Sequence, residues 1–269
     1  MRTRFSAVLV VLALVAGAAG LWYYYRGATP VPDENESDEV ADGDWLANLH
    51  DQNPRVAEEA ARQVKELGAE ALPDIQAVLR EPAASPPVTK AALKAAGILG
   101  PAAAPLVAEV AELLPDPAYT AEAAVALSFM GRDAFVPLRR ALDSEDPVVR
   151  REALRSIGKL RERAPLDARA VVPLLVAGLS DRDPGVRTVA ATYLGIVGEH
   201  PDAAVPALIN ALKDETPEVR SAAASALGSF PSAAATAIPA LRRATGDKDA
   251  DVAREAGVSL VKLQSGGSK

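Results

Sequence analysis

Few side chains in this sequence have the types and spacing for chemistry. Its 269 residues include two histidines, His50 and His200, and no cysteine. The histidines fall beside turns at different places in their segments, so they read as surface residues rather than a metal or proton-transfer pair. Without cysteine there is no thiol nucleophile, no thiolate-bound zinc, no disulfide framework and no lipidated cysteine. Ser128, Ser156 and Ser229 have no His–Asp pair near them in sequence. Asp247, Asp249 and Asp251 alternate like the opening of a calcium loop, but Val252 stands where that loop needs glycine and Val258 where it needs glutamate. Glycines occur singly, with no phosphate-cradling loop. The sequence therefore predicts no catalytic residue, no metal and no cofactor. What it does repeat is arginine: Arg150, Arg187 and Arg220 each stand four residues after a capping position. They predict either a guanidinium row for an acidic partner or a bonded ladder to the acidic turns at Asp143, Asp181 and Asp214. Arg151, Arg155 and Lys159, four residues apart, predict a solvated basic stripe.

The elements that position these residues recur. Thr216 and Pro217 open one of them: a capping oxygen, then a proline that suits the first helical turn, where no N–H is needed. Val219, Ala223, Leu227 and Phe230 follow three, seven, eleven and fourteen residues after the cap, on one face of an α-helix. The same phrase starts at Asn53, Ser85, Asp116, Asp146, Asp183 and Asp249, at intervals of 30 to 37 residues, and the seventh position is alanine every time. An unvarying small residue among larger ones predicts a close approach of two helices. A second helix is expected to open at Pro73, Pro105, Pro137, Pro173, Pro206 and Pro239. Gly68, Gly100, Gly131 and Gly198 would supply left-handed C-terminal residues between the two helices. A pair of about 33 residues cannot bury its own apolar face, whereas stacked pairs can. The predicted fold class is all-α: an α-solenoid of about six helix pairs over residues 45–264. A half-repeat at each end, Trp45–Asp51 and Asp249–Leu263, would cover the terminal apolar faces, and residues 265–269 would form a flexible tail.

Asp-Pro-x-Val-Arg at Asp146–Arg150 and Asp183–Arg187, then alanine, Leu-Gly and a Val-Pro-x-Leu helix, resembles the HEAT-like repeats of the phycobilisome-lyase type. The resemblance covers residues 45–264 and implies the fold far more than an activity. Some members attach or detach bilin chromophores, while most are binding scaffolds. Thr89 and Thr120 stand where the pattern has arginine, so units two and three are expected to stack or bind differently.

In solenoids of helix pairs the second helices usually line the concave surface, where partners bind. Three residues past the prolines lie Gln76, Ala108, Arg140, Val176, Ile209 and Arg242, flanked by Arg139, Asn210 and Arg243. Exposed together, they would form a groove with arginines near both ends and an apolar middle, suited to an extended or helical peptide. Arg161 to Asp167 reads as an insertion that lengthens the turn in unit four, with Arg161, Arg163 and Pro165 as a partner contact or a tolerated loop.

Ahead of the repeats, Phe5 to Tyr25 carries no charge, and as a helix it would span about 31 Å, one bilayer core. Arg2 and Arg4 precede it, and Trp22, Tyr23, Tyr24 and Tyr25 suit a membrane–water interface. Residues 1–26 thus predict a transmembrane anchor, or a signal peptide cleaved at Ala16-x-Ala18. Both readings export the repeats to the periplasm or cell surface, and cleavage would secrete them. Ala16 and Gly20 would let anchors pair, giving self-association. Residues 27–44 hold seven acids and no base, a disordered linker that serves as spacer or as docking tail for a basic partner. Of the net charge of −7, the first 32 residues carry +3 and the linker −7, leaving −3 on the repeats. That lacks the basic footprint of a nucleic-acid binder. The function expected is a non-enzymatic, membrane-tethered, extracytoplasmic scaffold or adaptor for a protein or peptide. A lyase-like or small-molecule-binding role and a structural envelope spacer are the alternatives.

Overall fold

The computed structural model describes residues 45–164 and 166–266, and every regular element among them is helical. A short helix α1 (Trp45–Asn48) precedes six helix pairs and one unpaired helix. The pairs are α2 and α3 (Pro54–Leu67, Leu72–Leu79), α4 and α5 (Pro86–Leu99, Val107–Glu112), and α6 and α7 (Thr120–Leu127, Phe135–Ala141). They continue with α8 and α9 (Pro147–Arg163, Ala168–Gly178), α10 and α11 (Pro184–Val197, Pro201–Ala211), and α12 and α13 (Pro217–Leu227, Ala234–Ala244). The unpaired helix is α14 (Ala250–Gly266). Even-numbered helices are the first of each unit and odd-numbered ones the second. The segment expected as anchor or signal and the acidic linker lie outside the described residues, as do Pro165 and the last three residues.

Packing follows the period. Each first helix packs on the first helix of the next unit, and each second helix packs on that same following first helix. All seven repeat alanines, Ala60, Ala92, Ala123, Ala153, Ala190, Ala223 and Ala256, are buried in the core. Leu127, Ile157, Leu194 and Leu227 bury beside them, four residues further along the same helical stripe. The second helices contribute Ile75, Val110, Leu138, Leu175, Leu208 and Leu241, all fully buried. At the N-terminal end Leu49 is buried, and Trp45 and Leu46 pack partly against the core. Pro86–Glu112 is apolar enough to cross a membrane, but it is interrupted by the 3-10 segment Gly100–Leu106 and lies mostly inside the solenoid.

The local signals fare unevenly. Asn53, Asp146 and Asp183 cap their helices by accepting from the backbone N–H of Arg55, Val148 and Val186. Asp249 does the same for Asp251 and Val252. Ser85 and Thr216 make no such bond, and Asp116 accepts from Ala118 in the turn ahead of α6. Gly68, Gly100, Gly131 and Gly198 all have positive φ, between 55° and 85°. Gly198 is left-handed helical, while the other three combine positive φ with ψ of −124° to −167°, a region open to glycine.

Pro73 stands in the first turn of α3 as expected and Pro137 is the third residue of α7, but the other four prolines do not open their helices. Pro173, Pro206 and Pro239 sit six residues into α9, α11 and α13, and Pro105 lies within the 3-10 segment before α5. Asp167 caps α9 through the N–H of Arg169, and Pro201 starts α11, so these helices begin earlier. So near the N-terminus an internal proline forfeits one backbone hydrogen bond, and its φ already suits the helix.

Candidate functional site

The recurring arginines form a ladder. Arg150, Arg187 and Arg220 are 5% to 8% exposed. Through Nε and NH2 each donates to both carboxylate oxygens of an aspartate in the next unit, Asp181, Asp214 and Asp247 respectively, at 2.7 to 2.9 Å. Through NH1 each donates to two carbonyls of the turn before its own helix: Ser144 and Glu145, Asp181 and Arg182, Asp214 and Glu215. Each aspartate also accepts the backbone N–H two residues on, at Asp183, Thr216 and Asp249. One guanidinium thus bonds two successive inter-unit turns. The rungs run one unit forward, and the exposed Asp143 is not among them; Ser144 holds that column and accepts from the Asp146 N–H. With their donors spent internally, these arginines are not a docking row. Thr120 instead donates to the carbonyls of Leu114 and Asp116, and Thr89 to that of Ser85. The ladder therefore starts at α8.

The residues expected to line the second-helix face divide into two groups. Arg139 and Arg140 in the last turn of α7, Arg242 and Arg243 in the last turn of α13, and Asn210 on α11 are exposed. The four arginines make no ion pair among the described residues. Each pair sits where a helix dipole favours a cation. Gln76, Val176 and Ile209 are half-buried. Gln76 Nε2 donates to Glu109 Oε1 at 2.7 Å, and Arg80 meets the same oxygen at 2.6 Å, so Gln76 ties α3 to α5. Burial alone would raise the Glu109 carboxyl, but the Gln76 and Arg80 bonds bring it below its ordinary value. Val176 and Ile209 pack partly against the core. Val176 and Asn210 share a shallow depression of about 250 Å³ between α9 and α11, with Leu179, Ala207 and Lys213.

Three features escaped the sequence reading. A larger groove, about 610 Å³, opens in the first-helix layer between α10, α12 and α14, lined by Thr192, Ile196, Ser221, Ser225, Ser229, Asp249 and Glu255 among others. Its signal was the serine row at four-residue spacing. Second, a column of small residues twelve past the caps, Gly158, Gly195 and Gly228, meets the next first helix directly. A Cβ there would lie 2.1 Å from Tyr193, 2.7 Å from Ala226 and 2.6 Å from Ser259 respectively. Third, the insertion in unit four lengthens α8 through Arg163 rather than the turn after it. Arg161 NH2 donates to Glu199 at 2.6 Å, and the Arg163 guanidinium lies 4.1 Å from the centre of the Phe129 ring. Both arginines clasp neighbouring units.

His50 is exposed near the N-terminal end, as expected, and partial desolvation chiefly lowers its pKa. His200 precedes α11 in a left-handed conformation, φ 52°. The two lie several units apart. Among the described residues no group of three or more His, Asp or Glu side chains is placed to hold a metal.

Residues 136–205 and 172–262 match the family model described as HEAT repeats. Residues 136–262 are similar to HEAT repeats. The matched HEAT repeats are those that carry the arginine ladder. The fold is similar to the crystal structure of Kap121p, with a TM-score of 0.59 and 14% identity over 78% of this chain and 28% of that one. It is equally similar to the karyopherin Kap121p bound to the extreme C-terminus of the protein phosphatase Cdc14p, with a TM-score of 0.59 and 15% identity over 81% and 28%. The chain thus spans little more than a quarter of Kap121p. An engineered protein aligns at 23% identity over 82% of this chain and 96% of its own, with a TM-score of 0.46. At these identities the likeness shows the fold alone. No curated protein matches the chain.

Proposed function

We propose that this HEAT-like solenoid is a non-enzymatic scaffold that binds a peptide segment of a partner protein across its second-helix face. Residues 5–25 would hold it to a membrane, with the repeats outside the cytoplasm. The observation that carries the reading is the arrangement on α7 to α13. Exposed arginine pairs without ion partners stand at the two ends, and a shallow depression with half-buried Val176 and exposed Asn210 lies between them. Arginine is the cation best suited to carboxylate recognition, and pairs of exposed arginines cost little to desolvate against an acidic segment. Second helices spaced about 9 Å apart put the two arginine pairs some 27 Å from each other, the reach of about eight extended residues. Kap121p, of similar fold, binds the extreme C-terminus of the protein phosphatase Cdc14p. Uncharged Phe5–Tyr25, flanked by Arg2, Arg4 and Arg26, supports the membrane tether.

The test is co-purification of the full-length protein from its native membrane, beside a chain carrying Arg140→Glu, Ile209→Ala and Arg242→Glu. A partner recovered with the native chain and lost with the altered, still folded one is the expected result. Equal recovery would move binding to another face.

A further inference from the structure

The basic stripe on α8 is more than a solvated edge. Arg151, Arg155, Lys159 and Arg163 follow one another at four-residue spacing, which places successive cations about 6 Å apart along some 18 Å of one helix face. Like charges at this spacing weaken a helix, so the sequence carries the row against local stability. Two carboxylates on the same helix, Glu152 and Glu162, compensate part of this charge. Arg151 and Arg155 share the single, largely buried carboxylate of Glu152 at 3.3 and 3.2 Å. Arg163 lies over the Phe129 ring. Burial lowers the Lys159 pKa, and Arg163 and Arg155 press it further down. Glu152 and Glu162 oppose that fall, so Lys159 is a cation held partly out of water among both signs of charge, with the downward causes the larger.

The corresponding stripes of the two neighbouring first helices are uncharged. The matching positions on α6 are Ala121, Val125 and Phe129. On α10 they include Thr188 and Thr192, whose hydroxyls donate to their own helix at Pro184 and Thr188. Cationic charge therefore runs as a line along one helix. A membrane surface rewards a plane of cations, and a solenoid of net charge −3 repels a nucleic acid at long range.

We propose that the first-helix face at α8 is a second docking surface, for an acidic polypeptide segment lying along the row of Arg151, Arg155, Lys159 and Arg163. Alternate residues of an extended chain present side chains about 6.6 Å apart, close to the cation spacing, so a strand with acids at every second position fits carboxylate to cation. This surface is independent of the second-helix face.

The probe is a fluorescein-labelled peptide of alternating glutamate and alanine, added to the full chain, with binding read by anisotropy. Saturable binding that weakens as salt rises is expected. Arg155→Glu with Lys159→Glu should weaken it at least tenfold, and Lys262→Glu, on α14, should leave it unchanged. Should the reversal unfold the chain, Arg155→Gln with Arg163→Gln decides, with at least a threefold loss expected and the melting curve as control. Unchanged affinity in a folded stripe variant overturns the proposal. So does binding of phosphatidylserine vesicles through the stripe in the absence of peptide binding, which would assign the row to a membrane surface.

Discussion

Arg187 Nε lies 2.7 Å from one carboxylate oxygen of Asp214 and Arg187 NH2 lies 2.9 Å from the other, across the boundary between two repeats. The side chains are 10% and 12% exposed. Removing one member of so buried a pair leaves the other charge uncompensated, at a cost of about 3–5 kcal/mol. Arg187→Ala should cost that much, read as the shift in urea-unfolding free energy. Arg187→Lys should recover little, because an ammonium cannot serve both oxygens and two turn carbonyls. Replacing Arg187 and Asp214 together by leucine should cost less than either single truncation. A loss below about 1 kcal/mol for Arg187→Ala would show the rung to be ornamental.

The same rungs set a pH dependence. The Arg150 bond holds the Asp181 carboxyl below its ordinary 3.8, and the Arg220 bond does so for Asp247. A carboxylate with a depressed folded pKa contributes stability that is complete above its unfolded value and lost as pH falls through the folded one. The unfolding midpoint should therefore fall steeply below about pH 4, and Arg150→Gln with Arg220→Gln should flatten that fall. Parallel curves for the two proteins would refute the assignment.

Glycine substitutions should differ in sign. Gly195 meets the backbone of Ala226, where an added Cβ would come within 2.7 Å, so Gly195→Ala must spread two helices and should cost about 1–3 kcal/mol. Gly257, inside α14, has nothing within 4 Å of its would-be Cβ. Gly257→Ala should stabilise by about 0.5–1 kcal/mol through helix propensity. Thermal melts of the two variants, moving in opposite directions, check the stacking register.

Adjacent residues of α11 test its rotation. Leu208 is fully buried, and Leu208→Ala should cost about 2–5 kcal/mol. Ile209 is half-buried, and Ile209→Ala should cost under about 1.5 kcal/mol while weakening partner recovery. Equal losses of stability would mean that Ile209 is core and no part of a docking face.

The solenoid was legible because its period is carried by core positions. A stripe of valine, alanine and leucine at fixed offsets, with alanine buried in all seven units, leaves one way to pack. Cap chemistry was legible at Asn53, Asp146, Asp183 and Asp249 and not at Ser85, Asp116 or Thr216. The arginine ladder was visible, but its direction was not. Reading Asp143 as a rung required adjacent residues in a turn to be equivalent, and the column belongs to Ser144. Pro173, Pro206 and Pro239 misled because the residues ahead of them, such as Ala-Ala-Val before Pro206, can as well close a turn as begin a helix. The insertion misled because Arg161 to Arg163 continue a helix that lacks a glycine to end it. Least legible was the docking face. Exposure of Arg140 against half-burial of Gln76 and Ile209 depends on a few tens of degrees of helix rotation, which spacing alone does not fix.

The central claim is that a partner segment lies on the second-helix face between α7 and α13. The most direct measurement places a photo-crosslinking amino acid at Asn210, and separately at Ser225 in the first-helix layer, in the full-length protein in its native membrane. One discrete adduct from Asn210, absent from Ser225 and abolished by Arg140→Glu with Arg242→Glu, is the predicted result. The same adduct from both positions, or one from Asn210 that survives the arginine changes, would contradict it.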